Sequence, residues 1–197
     1  RAQSNYYKRR FNVDLDPESE VIVTLGSKEG LANLASAITS IGDQVIVPNP
    51  SYPIHPYGFI IAGASVLSID SLPDEKFIKN LHAILSSSNN KAKALVLNYP
   101  NNPTTSMATL DFFSEIVNIC IKYEVYILSD IAYAEIYFDG IVPPSILEVP
   151  KAINIAVEFS SLSKTYSMPG WRVGFAVGNN KLIEALTKIK SYLDYGA

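Results

Sequence analysis

The chain has 197 residues, 48% of them hydrophobic and 18% charged, with a formal net charge of −3. That is enough for one domain with a substantial core, and a slightly acidic balance without a long basic run points away from nucleic acid as a main partner. The single cysteine, Cys120, excludes an internal disulfide and fits a reducing cytoplasm, and no apolar run is long enough to span a bilayer as a helix.

The chain opens on a helical pattern over residues 1–11 whose last turn carries Lys8, Arg9 and Arg10, where cations are favoured. A strand-length apolar run at 21–25 leads into Gly26-Ser27-Lys28-Glu29-Gly30, followed by Leu31, Leu34, Ala35, Ile38 and Ile41 at helix spacing. Further strand-length runs lie at 45–47, 65–69, 94–97, 125–128, 153–159 and 173–177. Most are continuously apolar, as expected for strands buried on both faces of a parallel sheet.

Helical patterns over 77–85, over Leu110, Phe113, Val117 and Cys120, and over 182–189 alternate with them, and Asn49 to Pro53, Pro100 to Pro103 and Pro143-Pro144 mark loops. The alternation predicts an α/β domain with a mostly parallel sheet flanked by helices. The last residues, Tyr195-Gly196-Ala197, follow directly on the final helical pattern, and both ends read as cut.

In such sheets ligands bind beyond the carboxyl ends of the strands, and the polar residues worth explaining stand there. The glycine-containing turn at 26–30 opens a helix and offers free backbone N–H groups to a phosphate, although a plain strand-to-helix connector has the same form. It lacks the spacing of a dinucleotide fingerprint or a nucleotide P-loop. Asp130 ends one buried run with Tyr133 three residues on. An acid in that position needs a cationic partner or serves as a cap, and its functional reading is a carboxylate that holds a ring nitrogen protonated.

Ser161, Ser163 and Arg172 are phosphate donors that bracket Lys164, a candidate nucleophilic amine. His55 and His82 are too isolated to suggest a metal site, Cys120 reads as a packed thiol, and Trp171 reads as packing under the phosphate loop. Asp14, Asp16 and Glu18 imitate a calcium loop, but Ser19 and Leu25 stand where it needs glycine and glutamate, so no metal is expected.

Taken together, Gly26-Ser27-Lys28-Glu29-Gly30, Asn102-Pro103-Thr104, Asp130-x-x-Tyr133 and Ser161-x-Ser163-Lys164 with Arg172 eight residues on resemble the class I/II aminotransferases. These are fold-type I enzymes that use pyridoxal 5′-phosphate. The resemblance implies that Lys164 forms the internal aldimine and shuttles the substrate proton, and that Asp130 holds the pyridine nitrogen protonated. It implies that Asn102 and Tyr133 bond the ring oxygen, that Tyr52 stacks on the ring, and that Ser27, Lys28 (through its backbone), Ser161, Ser163 and Arg172 hold the phosphate. Thr105 departs from the glycine that often follows Asn-Pro-Thr in the family.

The resemblance further implies that residues 1–197 are the cofactor-binding large domain, truncated at both ends, of a cytoplasmic homodimer acting on amino acids and 2-oxo acids. The runs around Gly26, Pro50 to Gly58, Trp171-Arg172 and Ile189 to Tyr192 are most similar to the alanine-forming glutamate–pyruvate group. Aspartate or LL-diaminopimelate aminotransferase, a β-lyase or decarboxylase on the same scaffold, and a regulator domain remain alternatives.

Overall fold

In the computed structural model, which describes residues 1–87 and 92–194, the chain alternates strands and helices around one seven-stranded sheet. The elements are α1 (Ala2–Phe11), β1 (Val21–Thr24), α2 (Ser27–Ile38), β2 (Gln44–Asn49), α3 (Ile54–Ile61), β3 (Ser65–Asp70), α4 (Glu75–Leu85) and β4 (Ala92–Asn98). They continue with α5 (Leu110–Lys122), β5 (Tyr126–Asp130), β6 (Ala156–Ser161), α6 (Leu162–Thr165), β7 (Gly174–Gly178) and α7 (Asn180–Leu193). Tyr195, Gly196 and Ala197 lie outside the described residues.

The strand order is β1-β7-β6-β5-β4-β2-β3. The pairs from β3 through β2, β4 and β5 to β6 are parallel, and β7 runs antiparallel between β6 and β1. Each predicted strand is present, and the sheet is mostly parallel as expected.

Alternate residues of the central strands feed two cores. Val45, Val47, Ala94, Val96 and Leu128 pack with Leu31, Leu34, Phe59 and Leu186 from α2, α3 and α7. Ile46, Leu95, Leu97 and Ile127 pack on the other face with Phe77, Leu81, Phe113 and Val117 from α4 and α5, and with Tyr7 and Phe11 from α1. Each fully buried Leu or Phe contributes roughly 1.5–3 kcal/mol, so a sheet covered on both faces accounts for the continuous apolar runs. Cys120 is buried in the second core, and burial pushes its thiol up, out of the reactive range.

Four details differ from the sequence reading. The run at 153–159 becomes strand only from Ala156, because Asn154 and Ile155 donate to Lys151 and Ala152 in a 3₁₀ turn. Helix α2 stops at Ile38 on extended Thr39, leaving Ile41 exposed beyond it. Helix α3 was not foreseen; its Pro56 falls in the first turn, where a missing N–H costs nothing. Trp171 does not pack under the loop. It ends a 3₁₀ turn and is 73% exposed, since Arg172, not the indole, turns inward over Gly26.

Candidate active site

The carboxyl ends of β1, β2, β4, β5 and β6 lie along one edge of the sheet. The chain order reverses between β2 and β4, which opens a crevice at that edge. Register aligns the ends: Asn98 lies opposite Asp130, and Gly174 pairs with both Thr24 and Ser161. Gly174 permits the closest approach, since a Cβ there would stand 2.6 Å from the Ser160 carbonyl oxygen and 2.9 Å from Gly26 Cα. The 24–27 turn is thereby brought against the end of β6.

That turn forms one half of an anion cradle. Gly26 has φ +80 and caps α2 without a side chain, so no side-chain bond occupies the first N–H groups of the helix. Arg172, itself left-handed at φ 53, covers Gly26 so closely that a Cβ there would meet its Nη2 at 2.5 Å. Its guanidinium donates to Leu25 O (3.5 Å), Ser163 Oγ (3.5 Å) and Pro169 O (3.3 Å). Ser161 ends β6, and its Oγ accepts from Ser163 N (3.2 Å). Hydroxyls, a guanidinium and a helix N-terminus on one small volume are a donor set for a phosphate.

The opposite end of the site is built on Asp130, which is 5% exposed. Its Oδ2 lies 3.1 Å from Nε2 of His55, and its Oδ1 accepts from Ala132 N (3.1 Å). A carboxylate accepts, so Nε2 is the imidazole nitrogen that carries hydrogen. The sequence leads one to expect a cation beside this acid and gives His55 no role; in the structure the fully buried imidazole of His55 on α3 stands there. The signal was faint: Tyr52 and His55 are three apart, but the partner of His55 is 75 residues away in sequence.

Asn98 was also missed. Its Nδ2 donates to the Asp130 carbonyl (2.9 Å) and its Oδ1 accepts from Asn102 N (2.9 Å), which ties the 98–102 loop to β5. Asn102 Nδ2 then donates to the Tyr133 hydroxyl at 3.3 Å. Thr105 holds φ 61, with its N–H donating to Asn101 O (2.9 Å).

Between the two ends, Lys164 Nζ lies 5.8 Å from the centre of the Tyr133 ring, and Lys28 Nζ lies 5.8 Å from that of Tyr52. Ser27, Lys28, Tyr52, Asn102, Asp130, Tyr133, Ser161, Ser163, Lys164 and Arg172 all line one cavity of about 330 Å³. None of the ten candidate residues falls outside it. An amine, a phosphate cradle and a buried acid share this cavity, a set that fits a phosphorylated aldehyde cofactor with a basic ring nitrogen. A more apolar cavity of about 410 Å³ adjoins it across Asn102 and Tyr133, bordered by Pro100, Met107, Ile136 and Phe138.

Comparison with known proteins agrees with this chemistry. The family model for aminotransferase class I and II matches residues 1–193. AatC of Rhizobium meliloti (strain 1021) is 58% identical over 197 residues, covering 100% of this chain and 49% of that protein. The glutamate-pyruvate aminotransferase AlaC of Escherichia coli (strain K12) is 50% identical, covering 100% of this chain and 48% of that protein. LL-diaminopimelate aminotransferases are similar too, that of Natranaerobius thermophilus at 47% identity over 99% of this chain and 50% of its own length. The apo-BacF structure from Bacillus subtilis superposes with a TM-score of 0.90 at 36% identity, covering 100% of this chain and 50% of that one. The chain spans about half the length of the curated relatives it matches.

Proposed function

Because the chain belongs to the class I and II aminotransferases, we propose that residues 1–197 form the pyridoxal 5′-phosphate-binding unit of an enzyme moving an amino group between alanine or glutamate and a 2-oxo acid. The observation that carries the reading is the single cavity in which an amine, a buried carboxylate and a phosphate donor set converge. When bound, the cofactor would supply an aldehyde and an electron-withdrawing ring.

Ser27, the Lys28 backbone N–H, Ser161, Ser163 and Arg172 bind the phosphate, and Tyr52 covers one face of the ring. Asp130 keeps a proton on the ring nitrogen, and His55, 3.1 Å from its Oδ2, fixes the carboxylate's orientation. Asn102 and Tyr133, joined at 3.3 Å, orient the ring through its oxygen. Lys164 would supply the amine that holds the cofactor and would move the proton at the substrate Cα.

Alanine as a substrate is supported by the 50% identity to the glutamate-pyruvate aminotransferase AlaC and by the mostly apolar lining of the adjoining cavity, in which Asp139 is the one charged side chain among the described residues. The second reading, LL-diaminopimelate as donor, is favoured by the 44–47% identity of the enzymes named for that substrate. A homodimer completes the proposal: Tyr166 and Trp171, exposed beside the phosphate donors, offer apolar surface to a second copy. So does a cytoplasmic setting, which suits the free thiol of Cys120.

The test is a comparison of kcat/KM for alanine, aspartate and LL-diaminopimelate as donors to 2-oxoglutarate. Alanine is expected to lead; a clear preference for either other donor would replace the substrate assignment.

A further inference from the structure

The turn that leads into the anion cradle is gripped from two sides. Arg172 Nη2 donates to the Leu25 carbonyl, while Leu25 N–H donates to Glu29 Oε2 at 2.7 Å. Glu29 stands in the first turn of α2, two residues after Ser27, and also accepts from Asn33. Its other oxygen meets Lys190 Nζ at 2.9 Å, reaching over from α7. The Lys190 side chain is only 4% exposed, and Asp194 is its second partner. Burial alone would lower this ammonium, but the bonds to Asp194 and Glu29 outweigh it and hold it above the usual lysine range.

A carboxylate is favourable at a helix N-terminus, but so is a phosphate. With both at one helix end they repel, and a cation behind the carboxylate weakens that repulsion. Lys190 stands where it can do that, while Glu29 keeps its hold on the Leu25 N–H and leaves the N–H groups of the helix start to the ligand.

We propose that Glu29 and Lys190 are positioning residues for the phosphate: Glu29 fixes the Leu25–Gly26 turn, and Lys190, shared with Asp194, offsets part of the Glu29 charge so that a second anion can share the start of α2. The proposal rests on the cofactor reading above. The bland reading of the same contacts is a salt bridge that merely fastens α7 to α2, and the two part company over the ligand's phosphate.

The experiment measures dissociation constants of the full chain for pyridoxal 5′-phosphate and for pyridoxal, which lacks the phosphate, in wild type, Lys190→Met and Glu29→Ala. Wild type should bind the phosphorylated form far more tightly. Losing a bond to a charged group typically shifts affinity about tenfold or more, so each variant should weaken pyridoxal 5′-phosphate by at least about tenfold while pyridoxal stays within about twofold. Should Lys190→Met fail to fold, Lys190→Gln, which removes the charge but keeps a hydrogen-bond donor, tests the charge role, and Glu29→Ala tests the hold on the turn. Equal loss for both ligands, or no loss for either, overturns the positioning role alone. A wild-type chain that does not discriminate between the two ligands overturns the cofactor reading itself.

Discussion

Thr105 is a β-branched residue at φ 61, a backbone region in which side chains other than glycine crowd the following carbonyl. The position follows Asn102-Pro103-Thr104 and is pinned by its N–H to Asn101 O and by its hydroxyl to Thr104 O at 2.6 Å. Relief of roughly 1–2 kcal/mol of left-handed strain exceeds the roughly 0.5–1 kcal/mol entropic cost of glycine. Thr105→Gly should therefore stabilise the chain by up to about 1 kcal/mol, read as a higher urea midpoint at unchanged slope; a lower midpoint would show that the threonine side chain contributes more than its backbone costs.

His55 calls for a second test. A hydrogen bond to a charged group contributes about 1.5–3 kcal/mol, so His55→Ala should lower turnover roughly 10–100-fold through Asp130 while the phosphate contacts retain most of the cofactor affinity. Unchanged turnover would reduce His55 to packing. Asp130, Lys164 and Arg172 were legible because each stands in a short local pattern. His55 and Asn98 were not, because each acts through a partner on another strand.

At the scale of elements, periodicity located the strands and most helices but not what fastens α1 to the sheet. Part of that fastening is Glu158, a fully buried acid in the middle of β6. It accepts from Tyr7 on α1 (3.1 Å), Ser145 Oγ (2.5 Å), Ile146 N (2.9 Å) and Ser129 Oγ (3.3 Å). Nothing in a one-dimensional pattern shows an acid inside an apolar run finding four donors from three other segments.

Burial pushes its carboxyl up to about 7 from 4.5, against the opposing pull of those donors. Because the folded value lies above the unfolded one, the folded chain holds the proton more tightly. The stabilising contribution is complete below pH 4.5 and is lost as pH rises through about 7. Relative to Glu158→Gln, wild type should lose on the order of 3 kcal/mol of stability across that window. Denaturant unfolding of both proteins at several pH values checks this; a difference that does not vary with pH would mean that Glu158 is ionised in the fold.

Over the whole molecule, the sheet assembles one site from segments that are far apart in sequence. The turn after β1, the start of α3, the loop after β4, the end of β5 and the stretch after β6 meet at one edge because the parallel strands end together there. The order of these segments was readable from the sequence because each strand end carries its polar residues immediately after an apolar run. The outward turn of Trp171 was not, since it depends on Arg172 folding back over Gly26.

On the function proposed above, this assembly holds a phosphorylated cofactor on Lys164. Borohydride reduction of the cofactor-loaded full chain, followed by peptide mapping, tests it most directly. The reduced cofactor is expected on the one peptide containing Lys164, and Lys164→Ala should take up no covalent label. A label on any other lysine, or an undiminished label in Lys164→Ala, would contradict it.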